Sequence, residues 1–192
     1  MSGYVRIIGG KWRGKKLAVP AVQALRPTPD RVRETVFNWL APHIMNARCL
    51  DLFAGTGALG LEALSRGAAH LTLIDQHDSV IKTLKTHIHE LHADHEVTLQ
   101  QALLPGALQT LQAVFNIVFI DPPFASGLLL PVCFALEKQQ LLADHSYIYL
   151  EASDSISDQV LPANWTIIKA KKAGMVRYYL VKREKDHDST CC

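Results

Sequence analysis

Apolar residues recur along this chain in two rhythms, and the change falls near Pro42. Before it, Val5-Arg-Ile-Ile8 and Leu17-Ala-Val19 flank Gly9-Gly-Lys-Trp-Arg-Gly14-Lys-Lys, which predicts a β-hairpin with a long basic loop. Val32, Val36, Trp39 and Leu40 then recur at helical spacing, and Phe37 widens the stripe. Thr28 is placed to cap this helix and Pro29 to start it. Arg33 falls inside the apolar arc, where it either snorkels to the helix end or points into a site; Arg31 lies outside the arc. After Pro42, apolar runs at 49–53, 70–75, 97–100, 115–120 and 146–151 alternate with helical stretches at 59–66, 79–91 and 128–140. Strands that are apolar on both faces predict a parallel sheet covered by helices. A polar connector, 153–164, leads to runs at 165–170 and 176–182, which read as a closing antiparallel hairpin. The expectation is an α/β protein: an extension over 1–41, a core over 42–183 and a disordered tail over 184–192.

Composition narrows the setting. The 192 residues fit one domain, and 48% hydrophobic with 20% charged is ordinary for a soluble globular chain. No apolar run reaches the roughly 20 residues of a membrane helix, and the first residues lack the apolar stretch of a secretion signal. Cys49, Cys133, Cys191 and Cys192 fit neither a disulfide framework nor a zinc site, so a reducing cytoplasm is expected, with Cys49 and Cys133 as core thiols. His87, His89, His92 and His95 are expected in solvent; His89-Glu-Leu-His92 falls one residue short of H-E-x-x-H, and no metal is expected.

Charge is uneven. Residues 1–33 hold Arg6, Lys11, Arg13, Lys15, Lys16, Arg26, Arg31 and Arg33 against Asp30 alone, a net +7, while the remainder is −5. Glycines and Trp12 interleave with these charges, which favours a polyanion partner over a merely solvated arm.

Two motifs carry chemistry. Asp51-Leu-Phe-Ala-Gly55-Thr-Gly57-Ala-Leu-Gly60 runs from a strand end through a G-x-G-x-x-G turn into a helix, a nucleoside-binding arrangement that nicotinamide folds share. A carboxylate at Asp51 would repel a pyrophosphate and suits a cation such as the amino group of a methionine moiety. Asp75, ending the next strand, can accept both hydroxyls of a ribose, because Asp78 is better placed to cap the following helix. Gln101 and Ala102 follow the third strand, where a side-chain amide and the backbone read adenine. The second motif, Asp121-Pro122-Pro123-Phe124, ends an apolar strand. Prolines stiffen the backbone and bring no N–H, so the Pro122 carbonyl and the Asp121 carboxylate become two fixed acceptors. They suit the two hydrogens of an exocyclic amine, with Phe124 as a stacking face for its ring. A base inside a duplex must be extruded to reach such a corner.

The set Asp51, glycine turn and Asp75 resembles the class I S-adenosylmethionine-dependent methyltransferases. Asp121-Pro-Pro-Phe124 is similar to the motif of amino-directed nucleic-acid methyltransferases, which act on adenine N6, cytosine N4 or guanine N2. Arg6-Ile-Ile-Gly-Gly-Lys-Trp-Arg-Gly-Lys-Lys-Leu17, Leu25-Arg-Pro-Thr-Pro-Asp30 and Lys172-Ala-Gly174-Met-Val176-Arg-Tyr178 extend the likeness to the bacterial 16S ribosomal RNA guanine-N2 methyltransferases, over about residues 5–182. The resemblance implies a Rossmann-like class I methyltransferase with a mostly parallel seven-stranded sheet and helices on both faces. It implies S-adenosylmethionine held by Asp51, Phe53, Gly55, Gly57, Gly60, Asp75, Gln101 and Ala102, and catalysis at Asp121, Pro122, Pro123 and Phe124. The partner it implies is 16S rRNA in a small ribosomal subunit or its assembly intermediate, met by a cytoplasmic monomer that uses no metal and no membrane. The family usually carries Asn or Asp where Gln101 stands, and often Glu where Asp75 stands. A DNA or other RNA amino-methyltransferase and a non-catalytic RNA-binding protein on the same scaffold are the alternatives; a DNA enzyme usually needs a target-recognition domain, for which 192 residues leave little room.

Overall fold

The structure is a computed structural model that describes residues 3–20 and 28–185. β1 (Tyr4–Arg6) and β2 (Lys16–Ala18) form an antiparallel hairpin, and α1 (Asp30–Leu40) follows. Then come β3 (Arg48–Asp51), α2 (Ala58–Ser65), β4 (His70–Asp75), α3 (Asp78–Glu90), β5 (Val97–Gln101), β6 (Phe115–Ile120), α4 (Leu129–Lys138), β7 (Leu142–Ala152), β8 (Trp165–Ala173) and β9 (Val176–Glu184). The sheet has seven strands in the order β5-β4-β3-β6-β7-β9-β8. β5, β4, β3, β6 and β7 pair in parallel; β9 runs antiparallel to both of its neighbours.

Burial explains the apolar runs. One sheet face packs Cys49, Leu71, Leu73, Ile117, Phe119 and Tyr149 against α1, α2, α3 and the hairpin. The other packs Leu50, Ile74, Val118, Ile120, Ile148 and Leu150 against α4 and the turn Gly106–Thr110. Cys49 and Cys133 are buried thiols. Ile7, Leu17, Val32, Val36, Phe37 and Leu40 join the first of these cores. β7 begins at Leu142, earlier than the apolar run at 146–151 indicates: Leu142 pairs with Phe115 of β6, and the polar His145 between it and the run pairs with Glu184 of β9. The strand β9 continues to Glu184, and of the expected tail, 186–192 lie outside the described residues, as does Arg26.

The N-terminal extension is anchored by a carboxylate that pattern reading does not reveal. Glu62, on α2 and 0% exposed, accepts the Ile8 N–H at 2.7 Å and the Gly9 N–H at 2.7 Å. The same carboxylate pairs with Arg66 at 2.7 Å and with Arg33 at 3.5 Å. Arg33 is itself 0% exposed, and its Nη2 donates to the Arg6 carbonyl at 2.7 Å and to Asp30 at 2.7 Å. This corrects the expected RNA role of Arg33: a guanidinium closed off from solvent among protein acceptors cannot reach a phosphate. Thr28 is corrected too. Pro29 is the N-cap of α1, without a side-chain bond, and the Thr28 hydroxyl donates to Glu151 at 3.1 Å.

Gly10 allows the hairpin loop to lie on the end of α2. Its φ is +75°, and a Cβ there would stand 1.8 Å from the Ser65 carbonyl oxygen. Ser65 completes the joint, donating to the Gly9 carbonyl at 2.6 Å and accepting the Trp12 N–H at 2.9 Å. His87 is buried rather than solvated. Its Nε2 accepts the Ala18 N–H at 3.0 Å, which requires the neutral ring with its proton on Nδ1, and burial lowers its pKa in the same direction.

Candidate active site

β3 lies between β4 and β6, so the chain departs to opposite sides at its C-terminal end, the place where open α/β sheets bind ligands. Asp51 ends β3, Asp75 ends β4, and Asp121 follows the last residue of β6. The fold therefore brings the sequence-predicted acids onto one edge. Glu151 stands near the end of β7 on the same edge, in register just beyond the Ile120–Leu150 pair.

The glycine turn is built by the acids beside it. Gly57, at φ +75°, is the N-cap of α2. Gly60 sits inside the first turn of that helix, and a Cβ there would come 2.8 Å from Leu71 and Leu73 and 3.1 Å from the Asp51 carboxylate. This space lets the Gly60 N–H donate to Asp51 at 3.0 Å. Burial pushes the Asp51 carboxyl up to about 7, against the opposing effect of that backbone bond and with help from the Asp75 charge. A carboxylate so deprived of water gains most from a cation, which is what an ammonium group supplies. Asp75 accepts the Gly55 N–H at 3.0 Å and the His77 N–H at 2.9 Å, one on each oxygen. Oδ2 keeps a second lone pair for a hydroxyl, whereas Oδ1 also has the His77 ring Nδ1 at 3.0 Å, an exposed side chain that a second hydroxyl would displace. Asp75, not Asp78, thus satisfies an amide at the start of α3, while Asp78 pairs with Lys82 at 2.7 Å.

At the adenine position the residues are partly engaged. The Ala102 N–H donates to the Asp75 carbonyl at 3.0 Å, and the Gln101 amide donates to the Gln76 carbonyl at 3.3 Å. Ala102 therefore does not offer its N–H to a ring, and Gln101 has one amide hydrogen engaged and keeps the other and its oxygen. Phe53 is half-buried beside the turn.

The Asp-Pro-Pro-Phe corner differs from the glycine turn in its hydrogen bonding. The Pro123 carbonyl accepts the Ser126 N–H at 2.8 Å, whereas no donor among the described residues reaches the Pro122 carbonyl. Asp121 is half-buried, and no donor among the described residues reaches its carboxyl, which is pushed well above the usual range by desolvation, then by the Glu151 and Asp51 charges. Phe124 begins a short 3-10 turn and is 53% exposed, leaving a ring face free.

Three residues at this corner have roles that spacing does not show. Glu151 is buried and accepts both the Tyr149 hydroxyl at 2.5 Å and the Thr28 hydroxyl at 3.1 Å. Burial raises its carboxyl, and these two bonds oppose the rise. The legible signal is an acid at the end of an apolar strand, two residues after a tyrosine. Thr28 ties the start of α1 to the same point.

The predicted basic residues are scattered. Arg6, Arg13, Lys15, Lys16 and Arg31 are exposed, and Lys11 pairs with Glu96 at 2.7 Å. Glu96 precedes β5, so the loop end of the β1–β2 hairpin is tied to the sheet edge opposite the acids. Among the described residues no cluster of three or more His, Cys, Asp or Glu is arranged to hold a metal ion, and no helix is long and apolar enough to cross a membrane.

The fold and the acids at its strand tips define a class I methyltransferase. Within that class the chain belongs to the family described as conserved hypothetical protein 95, whose model matches residues 5–182. It is 48% identical over 188 residues to the ribosomal RNA small subunit methyltransferase D of Escherichia coli strain K12, covering 98% of this chain and 94% of that one. To the protein of the same name from Haemophilus influenzae it is 41% identical, with 93% of each chain covered. Its fold matches the solved structure of the yhhF protein of Escherichia coli with a TM-score of 0.83 at 48% identity, over 95% of this chain and 99% of that chain.

Proposed function

We propose that the protein methylates the exocyclic N2 amine of a specific guanine in 16S ribosomal RNA, using S-adenosylmethionine. The observation that carries this reading is the pair of acceptors without donors, Asp121 and the Pro122 carbonyl, beside a buried carboxylate suited to a cation. The names and near full-length similarity of the relatives support the RNA as substrate. A cytoplasmic setting and a monomeric state are part of the same reading.

When bound, S-adenosylmethionine supplies the methyl group. Asp51 would hold its amino group and Asp75 its ribose hydroxyls, with Gly55, Gly57 and Gly60 keeping the turn close. Phe53, Gln101 and Ala102 would meet the adenine. On the base side, the Asp121 carboxylate and the Pro122 carbonyl each accept one hydrogen of the guanine amine, while Pro123 keeps the bend rigid and Phe124 stacks on the ring. An aromatic amine is a weak nucleophile because its lone pair is delocalised into the ring. Holding both hydrogens turns that lone pair toward the methyl carbon, and a nearby carboxylate stabilises the positive charge that develops on nitrogen. Glu151, fixed by Tyr149 and Thr28, adds negative potential beside Asp121. The proton lost by the methylated amine passes to Asp121. Exposed Arg6, Arg13, Lys15, Lys16 and Arg31 would meet RNA outlying from the target.

The test is methyl transfer from labelled cofactor to small ribosomal particles from cells lacking the enzyme, followed by mapping of the modified nucleotide. Asp121→Ala should lower the rate by at least about 100-fold, the usual loss when a transition-state acceptor is removed, with calorimetric cofactor affinity retained. A label mapped to another class of base, or a fully active Asp121→Ala enzyme, refutes the reading.

A further inference from the structure

The β8–β9 hairpin carries charge that the site described above leaves unused. Between Trp165 and Lys182 lie five basic residues, Lys169, Lys171, Lys172, Arg177 and Lys182, and no acid. Lys182 is paired with Glu184, but no acidic partner among the described residues stands within ion-pair distance of the other four. Lys169, Lys171 and Lys172 are exposed and Arg177 is half-buried.

Topology puts this charge beside the chemistry. β9 is antiparallel to β7, so the turn at Gly174-Met175 falls on the edge where β6 and β7 end. Arg177 is in register with Ala152, the residue after Glu151, and with Lys172 on β8. At ~4.8 Å per strand, Arg177 and Lys172 are two and three strands from Asp121, about 10 and 14 Å. That is the distance of a nucleotide flanking a base seated at the corner. Aromatic surface is interleaved with the charge. Trp39 of α1 stacks on Tyr178 with centroids 5.6 Å apart, and the Lys171 ammonium lies 5.9 Å from the Trp39 ring centre. Met175, at the turn, is 87% exposed, the most exposed large apolar side chain among the described residues. Cations alternating with aromatic and apolar faces suit a single strand whose bases are unstacked.

We propose that the β8–β9 hairpin, through Lys169, Lys171, Lys172 and Arg177, grips the RNA phosphates next to the base being methylated. This rests on the reading of the enzyme as an RNA methyltransferase. Lysines on an edge strand also discourage strand-to-strand association, and that role alone involves no RNA.

The experiment is a binding titration of the full chain against unmethylated small ribosomal particles at several salt concentrations, beside the methyl-transfer assay. The variant Lys169→Gln/Lys171→Gln/Lys172→Gln/Arg177→Gln should bind at least about tenfold more weakly, with a log-log salt slope shallower by about 3, from ~0.7 per phosphate contact. Its calorimetric affinity for the cofactor should match the wild type, which shows that it folds. The milder Lys172→Gln/Arg177→Gln variant, confined to the turn, should lose about half that slope. Unchanged particle affinity and slope in both variants, with an active wild type, overturn the hairpin's role and leave the proposed function intact, whether or not self-association rises. A wild type that neither binds nor methylates the particles overturns the proposed function, and this inference with it.

Discussion

Two hairpins of this protein carry clusters of cations and use them differently. The first holds Arg6, Lys11, Arg13, Lys15 and Lys16, and the second, beside the paired Lys182 and Arg183, holds Lys169, Lys171, Lys172 and Arg177. The first is fastened to the protein: its amides go to Glu62, Gly10 lies against the Ser65 carbonyl, and Lys11 pairs with Glu96. The second is fastened away from its turn, by β9 pairing to β7, by Trp165 and Arg183 on Glu137 and by Tyr178 against Trp39, while its four unpaired cations and its turn stand on the side where the acids gather. Density of charge in the sequence is therefore a poor guide to where a polyanion meets the enzyme. What counts is which charges the fold leaves unpaired and how near they stand to the reacting group.

The first way to break this comparison is to cut the fastening. In Glu62→Ala, the Ile8 and Gly9 amides lose their acceptor and the buried Arg33 loses one of its counter-charges. Removing one partner of a buried ion pair costs about 3–5 kcal/mol. At roughly 3 °C per kcal/mol for a domain of this size, the thermal midpoint should fall by about 9–15 °C. A drop of about 1 °C would mean that the hairpin contributes little to the folded state and that its charges are free after all.

A smaller effect is expected from Gly10→Ala, read against Gly14→Ala. Both glycines have positive φ, +75° and +87°, so alanine is strained at either. Such strain costs about 1–3 kcal/mol. Only at Gly10 does the added methyl meet the Ser65 carbonyl; at Gly14 nothing lies within 4 Å. The excess loss at Gly10, read as the difference of two denaturant midpoints, measures the contact of the loop with α2. Equal losses would show that the loop does not rest there.

How far the sequence reveals these features depends on the range of the interaction. The apolar strand runs and the acids after 50, 74 and 120 are readable because a sheet buried on both faces places these acids at strand ends, where the chain leaves the core. The helix around Val32, Val36 and Leu40 is readable from its stripe, and all three are buried. Glu62 is not, since an acid in an apolar helix looks like a solvent-facing residue until the hairpin is known to cover that face. Arg33 poses the complementary problem: its place in the apolar arc admits a snorkelling side chain or a site, and it proves to be Glu62's buried partner. Glu151 escapes notice because its meaning depends on β6 being the neighbour of β7, a fact of topology rather than of spacing. Thr28 reads as a local cap, but a partner 123 residues further along the chain has the stronger hold on its hydroxyl.

The smallest expected effect tests the comparison most directly. Arg13→Ala/Lys15→Ala/Lys16→Ala removes three exposed cations from the fastened loop, about the length of a strand, ~15–20 Å, from the acids. Side chains that far from the target base meet only outlying phosphates, and not all of them at once. Particle affinity should fall by about threefold and the salt slope by about 1, close to the loss of one contact. The rate at saturating particle should be unaffected, because none of the three approaches the corner where the base sits. If the triple variant instead lost as much affinity and slope as the four-residue variant of the β8–β9 hairpin, RNA would have to wrap from one edge of the sheet to the other. Distance from the acids would then no longer rank the two hairpins, and their different attachment to the protein would say nothing about how RNA is held.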